Sequence, residues 1–499
     1  MGAAMENRPK IGIVSFYIEK NEKLPWFQQA VAESHRELRE FLKESHIGVA
    51  DTTTLSDGKG IGSEADVKAV LDMLKRERVS AVLVEITDIP PTDLFVKTTA
   101  AFPVPFALLG NPNPGLKSAS GLVRAGQLIW EKMKEPGAVA AHRLWGVGRY
   151  MLHWVYGMHA LHGLKKGEFV LFSDEEGQDD VEKYPFLLEK LGARMFEFPV
   201  RDLIVLKETV SQKQAERVLK TLKDLGLHLS ISEEPEAASL LFDHLKFLKA
   251  FTDWVERDSG LASPNVVAFD ESALNQLQRL NLNPAFLTTF APVLAKIEGR
   301  EMSFPVVGQA GETLLFSAGM LSRVAAPNQA FSGLIHMANQ HFFMVSSPWG
   351  ASAYYAGGGL AENEALANIT VQSNCETHWG LIPGFEVLTG EVTVANLARL
   401  PGGQFILQIG EGWSREINSE MREALRWGQS WPKIAIDLGI PPYLLIQTLG
   451  SPVVSLTMKR FAKEIQVICE QLHLPMMSLD SERELKEFRN IFRMGRMEA

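Results

Sequence analysis

The feature that most limits this chain is a hydrophobic period that switches repeatedly between strand and helix. Ile11–Tyr17 (IGIVSFY) is a nearly unbroken apolar run, as a strand buried on both faces requires. From Trp26 to Lys43 the apolar residues recur at helical spacing instead. Val79–Ile86 (VSAVLVEI) and Val104–Leu109 read as further strands, with Glu64–Arg78 a helix before the first of them. Strands alternating with helices in this way predict a parallel sheet wound by right-handed crossovers. Such sheets bind ligands beyond the carboxyl ends of their strands. The loops Thr87–Asp93 and Gly110–Gly115 (GNPNPG) are therefore marked by position as a binding edge.

A second α/β unit is predicted to begin at Glu168–Phe172 (EFVLF). It continues through strands Arg194–Phe198, Leu227–Ser232 and Asn265–Asp270, with helices Glu182–Leu191, Ser211–Leu225 and Glu234–Asp258 between them. Beyond about Phe331 the strands shorten and glycine-bearing turns multiply, which predicts a mostly β domain closed by a helix over Val453–Leu472. A chain of 499 residues exceeds what one hydrophobic core organises. The expected division is an N-terminal α/β domain over 1–165, a second over 166–325 and a β-rich domain over 326–499. Near the first boundary, His142–Gly163 (HRLWGVGRYMLHWVYGMHALHG) is rich in aromatics and histidine, and helical from Arg149.

Charge and cysteine content narrow the partners. The formal net charge of −10 disfavours nucleic acid and anionic membrane, because both would be repelled. Two cysteines, Cys375 and Cys469, make no disulfide framework and fit a reducing compartment. Neither a signal-peptide run nor about 18 continuous apolar residues occurs, so a cytoplasmic protein is expected.

Three stretches carry a family likeness. The first is the order of domains, two α/β units and then a β-rich one. The second is Gly390–Gly412 (GEVTVANLARLPGGQFILQIGEG), a strand that turns through glycine into another strand ending in Glu-Gly. The third is Gly439–Ser451 (GIPPYLLIQTLGS), and Val307–Glu312 (VGQAGE) adds a weaker match at a helix entry. In these the chain resembles the L-fucose and L-arabinose isomerases. The resemblance implies two Rossmann-like, doubly wound α/β domains followed by a β-rich C-terminal domain. It also implies aldose–ketose isomerisation of an open-chain hexose or pentose through an enediol, with Mn²⁺ on the sugar oxygens. A homo-oligomer, trimer or hexamer, is implied as well. The family's metal-binding acids fall on Ala310 and near Gly333 here, and its histidines on Pro442, Tyr443 and about Ser346. Either the ligands have moved, or the scaffold serves a non-catalytic sugar-binding or regulatory role.

Candidate residues follow from those alternatives. Glu312 opens a helix after Gly311, as a relocated acid/base or metal ligand, or simply as a helix-start carboxylate. His336 and His341 flank the tetrapeptide MANQ; either one would act as second base, or His341 would join Glu312 on Mn²⁺ or Zn²⁺. His378 and Trp379 stand beside Cys375, where one Cys and one His cannot close a tetrahedral zinc site. Trp349 and Trp379 offer plates for a sugar ring, and Tyr443 is placed to touch substrate. His153 and His159 would bind substrate hydroxyls or an anionic group, or fill an interface.

Overall fold

In the computed structural model the described residues are 9–18, 24–56, 59–132, 142–174, 184–224, 228–230, 235–257, 264–298, 304, 306–307, 311–324, 331–336, 343–345, 354–355, 369–373, 381–385, 390–400, 403–416, 434–437, 453–457, 460–479 and 483. The fold is mixed α/β, with parallel sheets and a separate C-terminal sheet system. The chain forms two compact units. Met1–His162 and Lys463–Gln471 make one, and Gly163–Ala462 with Leu472–Ala499 make the other.

The first unit holds β1 (Lys10–Ser15), α1 (Pro25–Glu44), β2 (Gly48–Asp51), α2 (Glu64–Arg76), β3 (Ala81–Ile86), α3 (Thr92–Ala100), β4 (Phe106–Gly110), α4 (Ser118–Lys132), β5 (His142–Trp145) and α5 (Arg149–Lys166). Its five strands are all parallel in the order β2-β1-β3-β4-β5, as the alternating pattern predicts. Proline at the start of α1 is preset for a first helical turn, and Ser63 with Asp66 forms a capping box that starts α2. One sheet face, with Val14, Val84, Ile86 and Leu108, packs with Val70, Leu74, Phe95 and Leu128 of α2, α3 and α4. Strand alternation sends Ser15 and Glu85 to the other face, where Glu85 meets α1. Helix Ala462–Gln471 joins this unit from far along the chain. A Cβ on Gly157 of α5 would lie 2.8 Å from the Glu464 carbonyl oxygen, so glycine is what permits the two helices to approach.

The second unit opens with β6 (Glu168–Ser173), β7 (Arg194–Pro199), β9 (Pro264–Phe269) and β10 (Val306–Val307), a parallel sheet in the order β10-β9-β6-β7. Its core is dense in aromatics: Phe172 stacks on Phe269 at 5.1 Å and meets Trp254 at 4.7 Å. The helices are α6 (Val200–Thr209), α7 (Gln212–Asp224), α8 (Pro235–Arg257), α9 (Glu271–Arg279), α10 (Pro284–Ile297) and α11 (Glu312–Val324). Six later strands are β11 (Phe331–His336), β12 (Phe343–Val345), β16 (Gly390–Arg399), β17 (Phe405–Glu416), β18 (Ile434–Asp437) and β19 (Val453–Thr457). They pair antiparallel in the cycle β11-β12-β18-β17-β16-β19 and back to β11, a closed ring that leaves these strands no free edge. Strands β13 (Tyr354–Tyr355) and β20 (Met476–Ser478) add to β11 and β17.

Two expectations are corrected. Val453–Thr457 is not the start of the closing helix but the strand that completes the ring, and the helix spans only Ala462–Gln471. The β-branched pair Val453–Val454 suits a strand between two partners better than a helix start. The strand at Leu227–Ser232, predicted for the second parallel sheet, is β8 (His228–Ser230). It pairs instead with β14 (Ile369–Ser373), which pairs with β15 (Leu381–Phe385). A local pattern marks such a short strand but does not say which edge it joins. Among the described residues no helix is long and apolar enough to cross a membrane.

Candidate functional site

Strand order in the first unit reverses between β1 and β3, and such a reversal opens a crevice at the carboxyl ends of the strands. A connected set of polar side chains lies there. Glu85, at the end of β3, is 3% exposed. The Ser34 hydroxyl donates to its Oε1, and His35 Nε2 lies 3.0 Å from its Oε2. Asn111, just past β4 and 8% exposed, donates from Nδ2 to Ser34 Oγ at 2.8 Å and to Glu37 Oε2 at 3.4 Å. Its Oδ1 accepts from Asn113 N at 2.8 Å, which folds the loop into an Asx turn. A lone buried carboxylate is expensive, and here a hydroxyl and an imidazole hold Glu85 in place.

This network backs an open cavity of about 420 Å³ along one face of α1. Glu33, Ser34, Arg36, Glu37, Glu40, Phe41, Glu44 and Asn113 line it. Glu37, Phe41 and Glu44 follow one another at helical spacings of four and three, so α1 presents them as a single surface. Phe41 is half-buried and supplies an apolar plate among carboxylates and amides. Beside Glu85 in the sheet register, Ser15 is 4% exposed, and its hydroxyl has no hydrogen-bond partner among the described residues.

The residues singled out from sequence are placed as follows. Glu312 begins α11, half-buried, and its Oε1 accepts from the backbone N–H groups of Phe186 and Leu187. Burial pushes its carboxyl above the ordinary range, against the pull of those two N–H groups and of Arg399. His153 Nδ1 lies 2.7 Å from Oε1 of Glu464, which is 7% exposed, so α5 and helix Ala462–Gln471 are joined by this pair. A second pair, His142 Nδ1 with Glu470 Oε2 at 3.4 Å, joins the same helix to β5. His159 sits further along α5 and, like His162, is partly exposed. His336 ends β11, and its side chain lies outside the described residues, as do His341, Trp349, His378, Trp379 and Tyr443.

Sequence reasoning marked the loop that carries Asn111 and Asn113 but missed Ser34, His35, Glu37, Phe41 and Glu85. The signal was present. Glu85 is the one charge inside VSAVLVEI, and Ser34 and His35 interrupt an apolar stripe of α1 between Ala30 and Leu38. A polar residue at a position the pattern assigns to the core needs a partner there.

Among the described residues, no three His, Cys, Asp or Glu side chains converge as a metal site demands. One Glu312 oxygen accepts from backbone donors, and His341, its expected companion on a metal, lies outside the described residues.

No protein-family model matches the chain, and no curated protein matches it. Among solved structures it is similar, at 11% identity and a TM-score of 0.14, to one titled "XylFII molecule", over 61% of this chain and 99% of that one. A structure from Mycobacterium smegmatis, titled as a complex with beta-D-fucofuranose, matches at 11% identity and a TM-score of 0.15, over 64% of this chain and 94% of that one. Overlaps of this quality carry no argument about fold or ligand.

Proposed function

We propose that this protein binds a sugar or closely related polyol in the crevice of its first sheet. The observation that carries the reading is the cavity wall. Phe41 offers a flat apolar face for sugar C–H groups, while Glu33, Glu37 and Asn113 offer polar groups beside it. Ser34 and Asn111 are already fixed by buried hydrogen bonds, so little ordering remains for the ligand to impose. Calorimetric titration with a panel of neutral hexoses and pentoses tests it. A sugar whose affinity falls about tenfold in both Phe41→Ala and Asn113→Ala, each checked for an unchanged fold, supports the reading. Absence of binding by every member of the panel defeats it.

A second reading is aldose–ketose isomerisation, following the resemblance to the L-fucose and L-arabinose isomerases. Glu312 favours it, because burial raises its carboxyl above the ordinary range, the direction in which a proton-carrying acid is tuned. If Glu312→Gln, folded as the parent, still interconverts a responsive aldose and ketose at the parental rate, this reading is lost.

A further inference from the structure

Helix α4 turns an unusual face to solvent. Its exposed positions are Ala119, Ser120, Val123, Gln127, Trp130 and Glu131, of which only the last is charged. Spacings of four, four and three put Ala119, Val123, Gln127 and Trp130 on one stripe. Its neighbours meet water with charge instead: α1 exposes Glu33, Glu37, Glu40 and Glu44, and α2 exposes Lys68, Asp72 and Lys75. Trp130 is 82% exposed and Val123 58%. Trp145 of β5, 56% exposed, lies over Gly110 beside Leu122 of α4, a third exposed apolar side chain on the flank of this helix. A helix face of this kind is a contact surface, because water gains nothing from it.

We infer that α4 is the contact face of a two-fold pair, and that the partner it fits is a second copy of this chain. Three features of the helix select an identical partner set antiparallel to it. The stripe is graded in size, with Ala119 and Ser120 at one end and Trp130 at the other. A two-fold axis near Ala125 therefore lays each indole over the partner's small residues, with Val123 beside Gln127. The terminal charges oppose the helix's own dipole, because exposed Lys117 precedes the first turn and Glu131 stands in the last. An antiparallel partner brings its first turn and its own lysine alongside each Glu131, which reverses the sign of both interactions. The flank is already neutralised, since Arg124 and Glu131 lie 3.8 Å apart, so closing the pair buries no isolated charge. Two copies of a chain with a net charge of −10 repel, and an uncharged stripe is where they approach at least cost. The face is one helix and a flanking tryptophan, less than the ~800 Å² per partner of a standard interface, so the pair exchanges with monomer. Pairing leaves the sugar crevice open, because α4 packs on the sheet face opposite the one that meets α1.

The test is sedimentation equilibrium of the full chain from about 1 to 100 µM, at low salt. The mass of the parent is expected to rise from one chain towards two across that range. Trp130→Glu should associate at least about tenfold more weakly, with its circular dichroism and melting temperature unchanged, since the side chain is exposed. The charge reversals Lys117→Glu and Glu131→Lys each suit the helix's own dipole better, so melting should hold while association falls about threefold. A chain carrying both reversals should return to within about twofold of the parent. A parent that stays monomeric throughout overturns the inference, as does an oligomer whose mass Trp130→Glu leaves unchanged. Charge reversals that have no effect, or that add where they should cancel, overturn it as well.

Discussion

The two parallel sheets make an informative pair. Each reverses its strand order next to its first strand, at β1/β3 and at β6/β9. In each, the first strand ends in serine, Ser15 or Ser173, and an acid follows on the neighbour, Glu85 or Asp270. The second edge is closed on itself. Asp270 caps α9 by accepting from Ala273 N at 2.8 Å, and both its oxygens are taken up, by Ser272 Oγ at 2.6 Å and Ser173 Oγ at 2.8 Å. At the first edge the acid lies deeper, and its contacts run outward through Ser34 and Asn111 to a cavity wall. Topology offers both edges as sites. Hydrogen-bonding capacity left facing a cavity distinguishes them.

The largest way to break this contrast is Glu85→Ala. It strands a buried imidazole and hydroxyl, and should cost about 3 kcal/mol in thermal or denaturant unfolding while abolishing sugar binding. Unfolding followed against pH sharpens the contrast from the other side. His244 in α8 is fully buried with its pKa pushed down to about 4 by burial, which outweighs the Leu240 carbonyl 2.8 Å from its Nδ1. Its Nε2 accepts from Asn283 N at 3.1 Å, so the folded ring is neutral. Between its ordinary pKa of 6.5 and about 4 the unfolded state binds the proton and the folded state does not. Stability is therefore intact above pH ~6.5 and declines as pH falls towards 4, by at most about 3 kcal/mol for this group. His244→Gln should flatten that acid limb of the second unit, and an unchanged limb would contradict the assignment.

Smaller effects follow. Asp270→Ala removes a helix cap and should lower stability by about 1 kcal/mol, with sugar affinity untouched. Glu37→Gln, on the exposed face of α1, should leave the melting temperature within error and weaken sugar binding by a few fold in calorimetric titration.

Much of the architecture was legible from periodicity. The apolar runs at β1, β3 and β4 are buried nearly throughout, which is why they read as strands of a covered parallel sheet. What periodicity did not carry was pairing across long separations. Closure of the ring by β19, the departure of β8 to β14, and the return of helix Ala462–Gln471 to the first unit all depend on partners far along the chain. The site was half legible for the same reason. GNPNPG was marked by its position after a strand, whereas the link from Ser34 to Glu85 spans 51 residues and shows only as polar letters in apolar patterns. Glu312 was read as a helix-start carboxylate or an acid/base; it does begin α11, and its carboxylate also holds the backbone of Phe186 and Leu187. Nothing local in the sequence names that partner.

The most direct test sets the two edges against each other in one titration. A sugar that binds the parent chain is titrated into Asn111→Ala and into Ser173→Ala, with each variant's fold confirmed by circular dichroism. The account predicts that Asn111→Ala loses about tenfold or more in affinity while Ser173→Ala binds as the parent does. Loss of binding in Ser173→Ala with Asn111→Ala unaffected would contradict it, and would move the ligand to the second sheet.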